Sequence, residues 1–202
     1  MIAIVDYGVG NLFSLKSSLA SLGADVAVTG RADELRAADK IILPGVGAFG
    51  DAADKLASTG LGEIVAEQAR AGKPLLGICL GMQLLLERGF EYGEHRGLGL
   101  IPGDVVSMEP VVPAGYKVPH IGWNALHFTA QRSPIFRDVS EGDFVYFVHS
   151  YYAANCPCVT ATAEYGAVLT AAVGRDNVFG CQFHPEKSGA VGLKILGAFC
   201  RL

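Results

Sequence analysis

Charge is scarce in this 202-residue chain: Asp, Glu, Lys and Arg make up 18% of it, against 50% apolar residues. The balance is slightly acidic, with a net charge of −4, and no cluster of Lys or Arg stands against it. A nucleic-acid groove or an anionic membrane surface calls for the opposite sign, so neither is expected as a partner. Also missing is any uninterrupted apolar stretch near the ~20 residues that span a bilayer. The chain opens directly on Ile2–Val5, with no basic flank, apolar leader core or cleavage site, and no export signal is expected. Disulfide staples are not expected either. The five cysteines (Cys79, Cys156, Cys158, Cys181, Cys200) are an odd count in a chain large enough to build its own core, which points to a reducing, cytoplasmic setting. Cys156-Pro157-Cys158 lacks a second ligand pair at metal spacing, so no metal is expected.

What is present is an alternation of short apolar runs and helical patterns. Ile2–Val5 reads as a first strand. Leu12, Leu15, Leu19 and Leu22 recur at helical spacing behind a capping Asn11, and Gly23 closes that helix. Asp25–Thr29 and Lys40–Leu43 read as strands around a short polar helix over Asp33–Ala38. A helical stretch over Phe49–Ala71, broken near Thr59-Gly60, then leads to the run Pro74–Ile78. Strands separated by helices imply an α/β fold with a doubly wound, largely parallel central sheet. From Leu98 onward the pattern changes to short extended segments: Val105–Met108, Lys117–His120, Asn124–Phe128, Phe144–His149, Val159–Glu164, Val168–Val173 and Val178–Phe183. Gly, Pro and Asn punctuate them, which predicts antiparallel hairpins added to the sheet edge. A last helix, Gly189–Cys200, carries Val191, Ile195 and Phe199 on one face. No repeat or linker divides the chain, and a single domain over 1–202 is expected.

The most informative segment is Gly77-Ile78-Cys79-Leu80-Gly81. A cysteine between two glycines, at the end of an apolar run, matches the strand–turn–helix elbow that presents a nucleophile. The helix expected after it, Leu80 to about Arg88, turns its first N–H groups toward the sulfur, and a helix N-terminus favours the attacking thiolate. Cys181 falls mid-strand, on the face opposite His184, and reads as a core residue. Of five histidines (His95, His120, His127, His149, His184), His184 stands out because it ends a strand and precedes Pro185-Glu186, whose carboxylate can turn back onto the ring. His149, also at a strand end, is the second choice. The Leu80 N–H and the loop Pro44-Gly45-Val46-Gly47 are the candidate donors for a developing oxyanion.

Together these residues resemble the class I (triad) glutamine amidotransferases, whose nucleophile signature is similar to Gly77–Gln83 and whose His-x-Glu signature is similar to Phe183–Glu186. Asp6–Asn11, Leu43–Phe49, Val118–Asn124 and His184–Ser188 are similar to the branch of that family that serves a cyclase in histidine biosynthesis. The resemblance runs from residue 2 to residue 188. It implies a flavodoxin-like sheet and no cofactor. Cys79, His184 and Glu186 would be the catalytic residues, and Gly47 and Leu80 the oxyanion donors. Gln83, Glu91, Ser150 and Tyr151 would hold the amino-acid head group of glutamine. It also implies a heterodimer with a (β/α)-barrel cyclase subunit, met through Asn11, His120, Trp123, Tyr146 and Lys187. A loop as glycine-rich as Gly45-Val46-Gly47 would keep the oxyanion site unformed until that partner docks. Alternatives at this point are a glutaminase subunit for an anthranilate- or guanylate-type synthase, a peptidase or γ-glutamyl hydrolase on the same architecture, and a non-catalytic copy of the fold.

Overall fold

The computed structural model describes residues 1–202. In chain order the first half runs β1 (Ile2–Val5), α1 (Leu12–Ser21), β2 (Val26–Thr29), α2 (Ala32–Ala37), β3 (Lys40–Leu43), α3 (Phe49–Thr59), α4 (Leu61–Arg70), β4 (Leu75–Ile78) and α5 (Leu80–Leu84). The second half adds β5 (Arg88–Gly89), β6 (His95–Arg96), β7 (Asp104–Ser107), β8 (His120–Ala125), β9 (His127–Phe128), β10 (Phe144–His149), β11 (Tyr151–Ala154), β12 (Val159–Glu164), β13 (Val168–Arg175), β14 (Val178–Cys181) and α6 (Gly189–Cys200).

The main sheet has the order β2-β1-β3-β4-β14-β13-β12-β9. Its first five strands are parallel, and the last three run antiparallel at one edge. β1, β4 and β14 are buried at every position, as expected for parallel strands covered on both faces. One apolar cluster joins Ile4 and Ile42 to Leu15 and Leu19 of α1 and to Ile195 and Phe199 of α6. The other joins Val5 and Leu43 to Leu35 of α2, Leu56 of α3 and Val65 of α4. Local chemistry sets the helix ends. Asn11 accepts the Ser14 N–H through its side chain, and Gly60, in the left-handed region at φ +69°, separates α3 from α4. The carboxyl ends of β1, β3, β4 and β14 lie side by side, where ligands of such sheets bind.

The structure corrects several expectations. The helix after Cys79 does not reach Arg88; it stops at Leu84. The carbonyls of Leu84, Leu85 and Leu86 are instead taken by the N–H groups of Leu98, Gly99, Leu100 and Ile101, a loop whose docking ends the helix. Leu85 and Leu86 stay buried beyond the helix, and all five residues of α5 are buried too. Lys117–Pro119 is not strand, and β8 begins at His120. Nor do all the later strands extend the main sheet. β8 and β10 pair only with each other, while β11, β7, β5 and β6 form a separate four-stranded sheet.

Candidate active site

Four strand ends build the site. β4 delivers Cys79, whose backbone is forced to φ +54°, ψ −111°. Non-glycine residues rarely adopt that region, and such strain concentrates at functional sites. Its N–H is held by the Cys181 carbonyl of the neighbouring strand at 2.7 Å. The flanking glycines are required by close approach: a Cβ at Gly77 would lie 2.7 Å from the Gly81 carbonyl oxygen, and one at Gly81 would run into the Leu43 carbonyl. The turn at Cys79 therefore sits directly against the end of β3. Gly45 is equally constrained, since its Cβ would lie 2.8 Å from Tyr7 Oη and 2.9 Å from the Gly81 nitrogen. Tyr7 Oη donates to the Pro44 carbonyl at 2.8 Å, which fixes the root of the loop, while Val46 and Gly47 are exposed.

β14 delivers the second half of the constellation. Pro185 opens a 3-10 turn over Pro185–Lys187, which folds Glu186 back under His184. His184 Nδ1 lies 2.8 Å from Glu186 Oε1, with both side chains only 3% exposed. Ser188 braces this turn against β10: its hydroxyl donates to the His184 carbonyl at 2.6 Å and accepts the Tyr146 N–H at 2.9 Å. His184 Nε2 is buried without a hydrogen-bond partner, leaving the ring's other nitrogen free. Burial opposes charging of the ring, but the adjoining Cys79 and Glu186 outweigh it and push the His184 pKa up to about 9.

A cavity of about 350 Å³ gathers Cys79, His184, Gly47, Leu80, Gln83, Glu91, Ser150 and Tyr151 along one wall system, with His149, Pro119 and Lys187 also lining it. Every expected oxyanion and head-group residue is thus brought to one place. Glu91 is not a solvated loop carboxylate; its Oε2 accepts the Phe49 N–H at 2.7 Å and caps the start of α3. Gln83 is largely committed inside the protein, its Nε2 lying 3.0 Å from the Tyr151 carbonyl and 3.1 Å from Gln182 Oε1.

His149, the second choice of base, has a different setting. Its Nδ1 donates to the Tyr151 carbonyl at 2.9 Å, and its Nε2 faces His120 Nδ1 at 3.2 Å. Burial pushes the pKa of each of these two rings down to about 4. This overturns one expectation: His120 is only 3% exposed, packed between Phe147 and Tyr165, and presents no side chain to a partner. Among the other expected interface residues, Trp123 is 54% exposed, Lys187 is exposed with its ammonium over the Tyr146 ring, and Asn11 and Tyr146 are half-buried. Gln182 is the residue that sequence reasoning missed. Its signal was a lone amide two positions before His184, hence on the same face of an otherwise apolar segment. No three His, Cys, Asp or Glu side chains group closely enough to hold a metal ion.

The family profile for glutamine amidotransferase class-I matches residues 3–200, and the chain belongs to that family. Within it, the chain is similar to proteins named imidazole glycerol phosphate synthase subunit HisH. That of Geobacillus thermodenitrificans is 50% identical over 203 residues, covering 98% of this chain and 94% of that protein. Those of Bacillus cytotoxicus (49%, covering 98% and 93%) and Wolinella succinogenes (45%, covering both chains fully) are similar to it at comparable levels. Among solved structures, one titled as PurLQS from Thermotoga maritima aligns with a TM-score of 0.75 at 22% identity, covering 99% of this chain and 97% of that one. A structure titled glutamine amidotransferase gives 0.76 at 18%, covering both chains fully. At those identities the likeness concerns the fold alone.

Proposed function

We propose that residues 1–202 act as one domain that hydrolyses glutamine to glutamate and ammonia, and passes the ammonia to a separate (β/α)-barrel cyclase subunit. That partner would use it to form imidazole glycerol phosphate and an aminoimidazole carboxamide ribotide in histidine biosynthesis. The observation that carries the reading is the strained Cys79 turn sharing a cavity with the His184–Glu186 pair. The names of relatives 45–50% identical over almost the whole chain support the acceptor.

In this reading the Cys79 sulfur attacks the side-chain amide carbon of glutamine. Leu80 and Gly47 N–H groups receive the oxyanion, each such donor being worth roughly 10²–10³-fold in turnover. His184, oriented by Glu186, protonates the departing ammonia, then takes a proton from the water that hydrolyses the thioester. Glu91 offers a carboxylate to the α-ammonium, while Gln83, Ser150 and Tyr151 complete the head-group wall. Ammonia released into bulk water would protonate and cease to be a nucleophile, which supports a docked acceptor; the two subunits would work as a heterodimer in the cytoplasm. Trp123 is the natural anchor of that interface, flanked by Asn11, Tyr146 and Lys187. Neither nucleic acid nor membrane enters this scheme.

Co-expression with a barrel cyclase tests the reading. The complex should form product from glutamine or from ammonium salts. Cys79→Ala should abolish the first activity and spare the second. Glutamine-dependent product from the variant would overturn the assignment, and product only with an anthranilate- or guanylate-type acceptor would move it to another synthase.

A further inference from the structure

Gln182 is fully buried, and its backbone N–H is fixed to the Ala171 carbonyl at 2.8 Å. The orientation of its side-chain amide follows from its neighbours. The Tyr151 backbone oxygen can only accept, so the Gln83 atom 3.0 Å from it is the amide nitrogen. The second hydrogen of that nitrogen needs an acceptor, which is Gln182 Oε1 at 3.1 Å. Gln182 must therefore turn its NH2 the other way, where it meets Cys79 Sγ at 3.8 Å. The same carbonyl orders the opposite branch: it accepts from His149 Nδ1, which leaves His149 Nε2 to accept from His120 Nδ1.

The Val148 carbonyl oxygen lies 4.0 Å from the sulfur, and the titratable groups that face the sulfur are the His184 ring, whose pKa it helps to raise, and the Tyr7 hydroxyl. A neutral thiol can donate to that carbonyl. A thiolate has nothing to donate and gains instead from the Gln182 N–H. With only five residues in the helix that follows Cys79, helix polarity contributes less to the thiolate than the sequence led one to expect. An amide, moreover, does not titrate, so its donor stays in place at every working pH.

We propose that Gln182 is a positioning residue that holds an N–H donor on the Cys79 sulfur and so favours the thiolate, its direction being set through Gln83 by the Tyr151 carbonyl. The inference rests on the reading of Cys79 as the nucleophile.

The test is the pH dependence of Cys79 alkylation by iodoacetamide in the full chain, read by mass spectrometry of the peptide carrying Cys79. Gln182→Leu removes the donor at similar size, and the alkylation midpoint should rise by about one pH unit with the alkaline plateau unchanged. Gln182→Glu keeps the bond to Gln83 but places a carboxylate oxygen on the sulfur, so its midpoint should rise further. A purely structural role leaves the midpoint of the leucine variant at the wild-type value, whereas the glutamate carboxylate raises the midpoint by its charge and serves as the control that position 182 faces the sulfur. A wild-type midpoint in the folded leucine variant would overturn the proposal, as would one in the glutamate variant. Should the leucine variant not fold, Gln182→Met, which removes the donor on an unbranched chain of similar length, takes its place. Alkylation needs no glutamine, so failure here is distinct from failure of the proposed function, which the Cys79→Ala complex reports.

Discussion

Two histidines line the same cavity, are buried to the same degree and are pushed in opposite directions. His184 is 2% exposed and its pKa rises to about 9; His149 is 6% exposed and its pKa falls to about 4. Burial lowers both. The difference lies in the neighbours: the Cys79 sulfur and the Glu186 carboxylate at 2.8 Å beside His184, against a backbone carbonyl and a second imidazole beside His149. Depth alone does not set a ring's charge. Partners that gain from the positive charge do, and besides the Cys79 sulfur the chain supplies one such partner, Glu186, at a single end of the cavity.

The largest effect should come from removing that partner. Glu186→Gln keeps the shape but loses the charge, and glutamine hydrolysis by the complex should fall roughly 10³–10⁴-fold. The His184 resonances should then titrate below their wild-type pH, though still above those of His149, because the Cys79 sulfur remains beside the ring. A smaller effect is expected at the other end. His149→Leu strands the His120 Nδ1–H and frees one claim on the Tyr151 carbonyl, which should cost about 1–3 kcal/mol in denaturant unfolding while turnover changes less than tenfold. If its turnover loss matched that of Glu186→Gln, the contrast between the two ends would be wrong.

The smallest effect sharpens the comparison through pH. Unfolded histidine titrates near 6.5. With folded values near 4, His120 and His149 bind fewer protons than in the unfolded chain between about pH 4 and 6.5, so stability is lost as pH falls through that window. With a folded value near 9, His184 contributes fully below pH 6.5 and loses that contribution as pH rises toward 9. Melting temperature should therefore peak near neutrality and fall on both sides, more on the acid side, where two rings titrate, than on the alkaline side, where one does. Glu186→Gln should make the alkaline limb shallower and leave the acid limb unchanged.

What the sequence made legible was local. Gly77 and Gly81 announce the elbow because their missing Cβ atoms are demanded by contacts a few residues away, with the Gly81 carbonyl and the end of β3. His184-Pro185-Glu186 is legible because a 3-10 turn brings residues two apart onto each other. The parallel strands were readable because double burial writes them as apolar runs. What was not legible depended on distant segments. α5 ends because a loop fourteen residues downstream takes its carbonyls, as Leu98 does at Leu84, and nothing near Leu84 signals this. β5, β6 and β11 are two to four residues long and acquire strand form only through partners elsewhere in the chain. His120 was expected at the interface from the resemblance alone, yet β8 alternates and turns His120 inward onto Phe147.

The backbone of Cys79 has an evolutionary corollary. Glycine would occupy φ +54° without strain, so Cys79→Gly should fold about 1 kcal/mol more stably than the parent while hydrolysing nothing. One codon change would thus give a sturdier, inert descendant, and the backbone at this turn offers no reason of its own for a cysteine to be there.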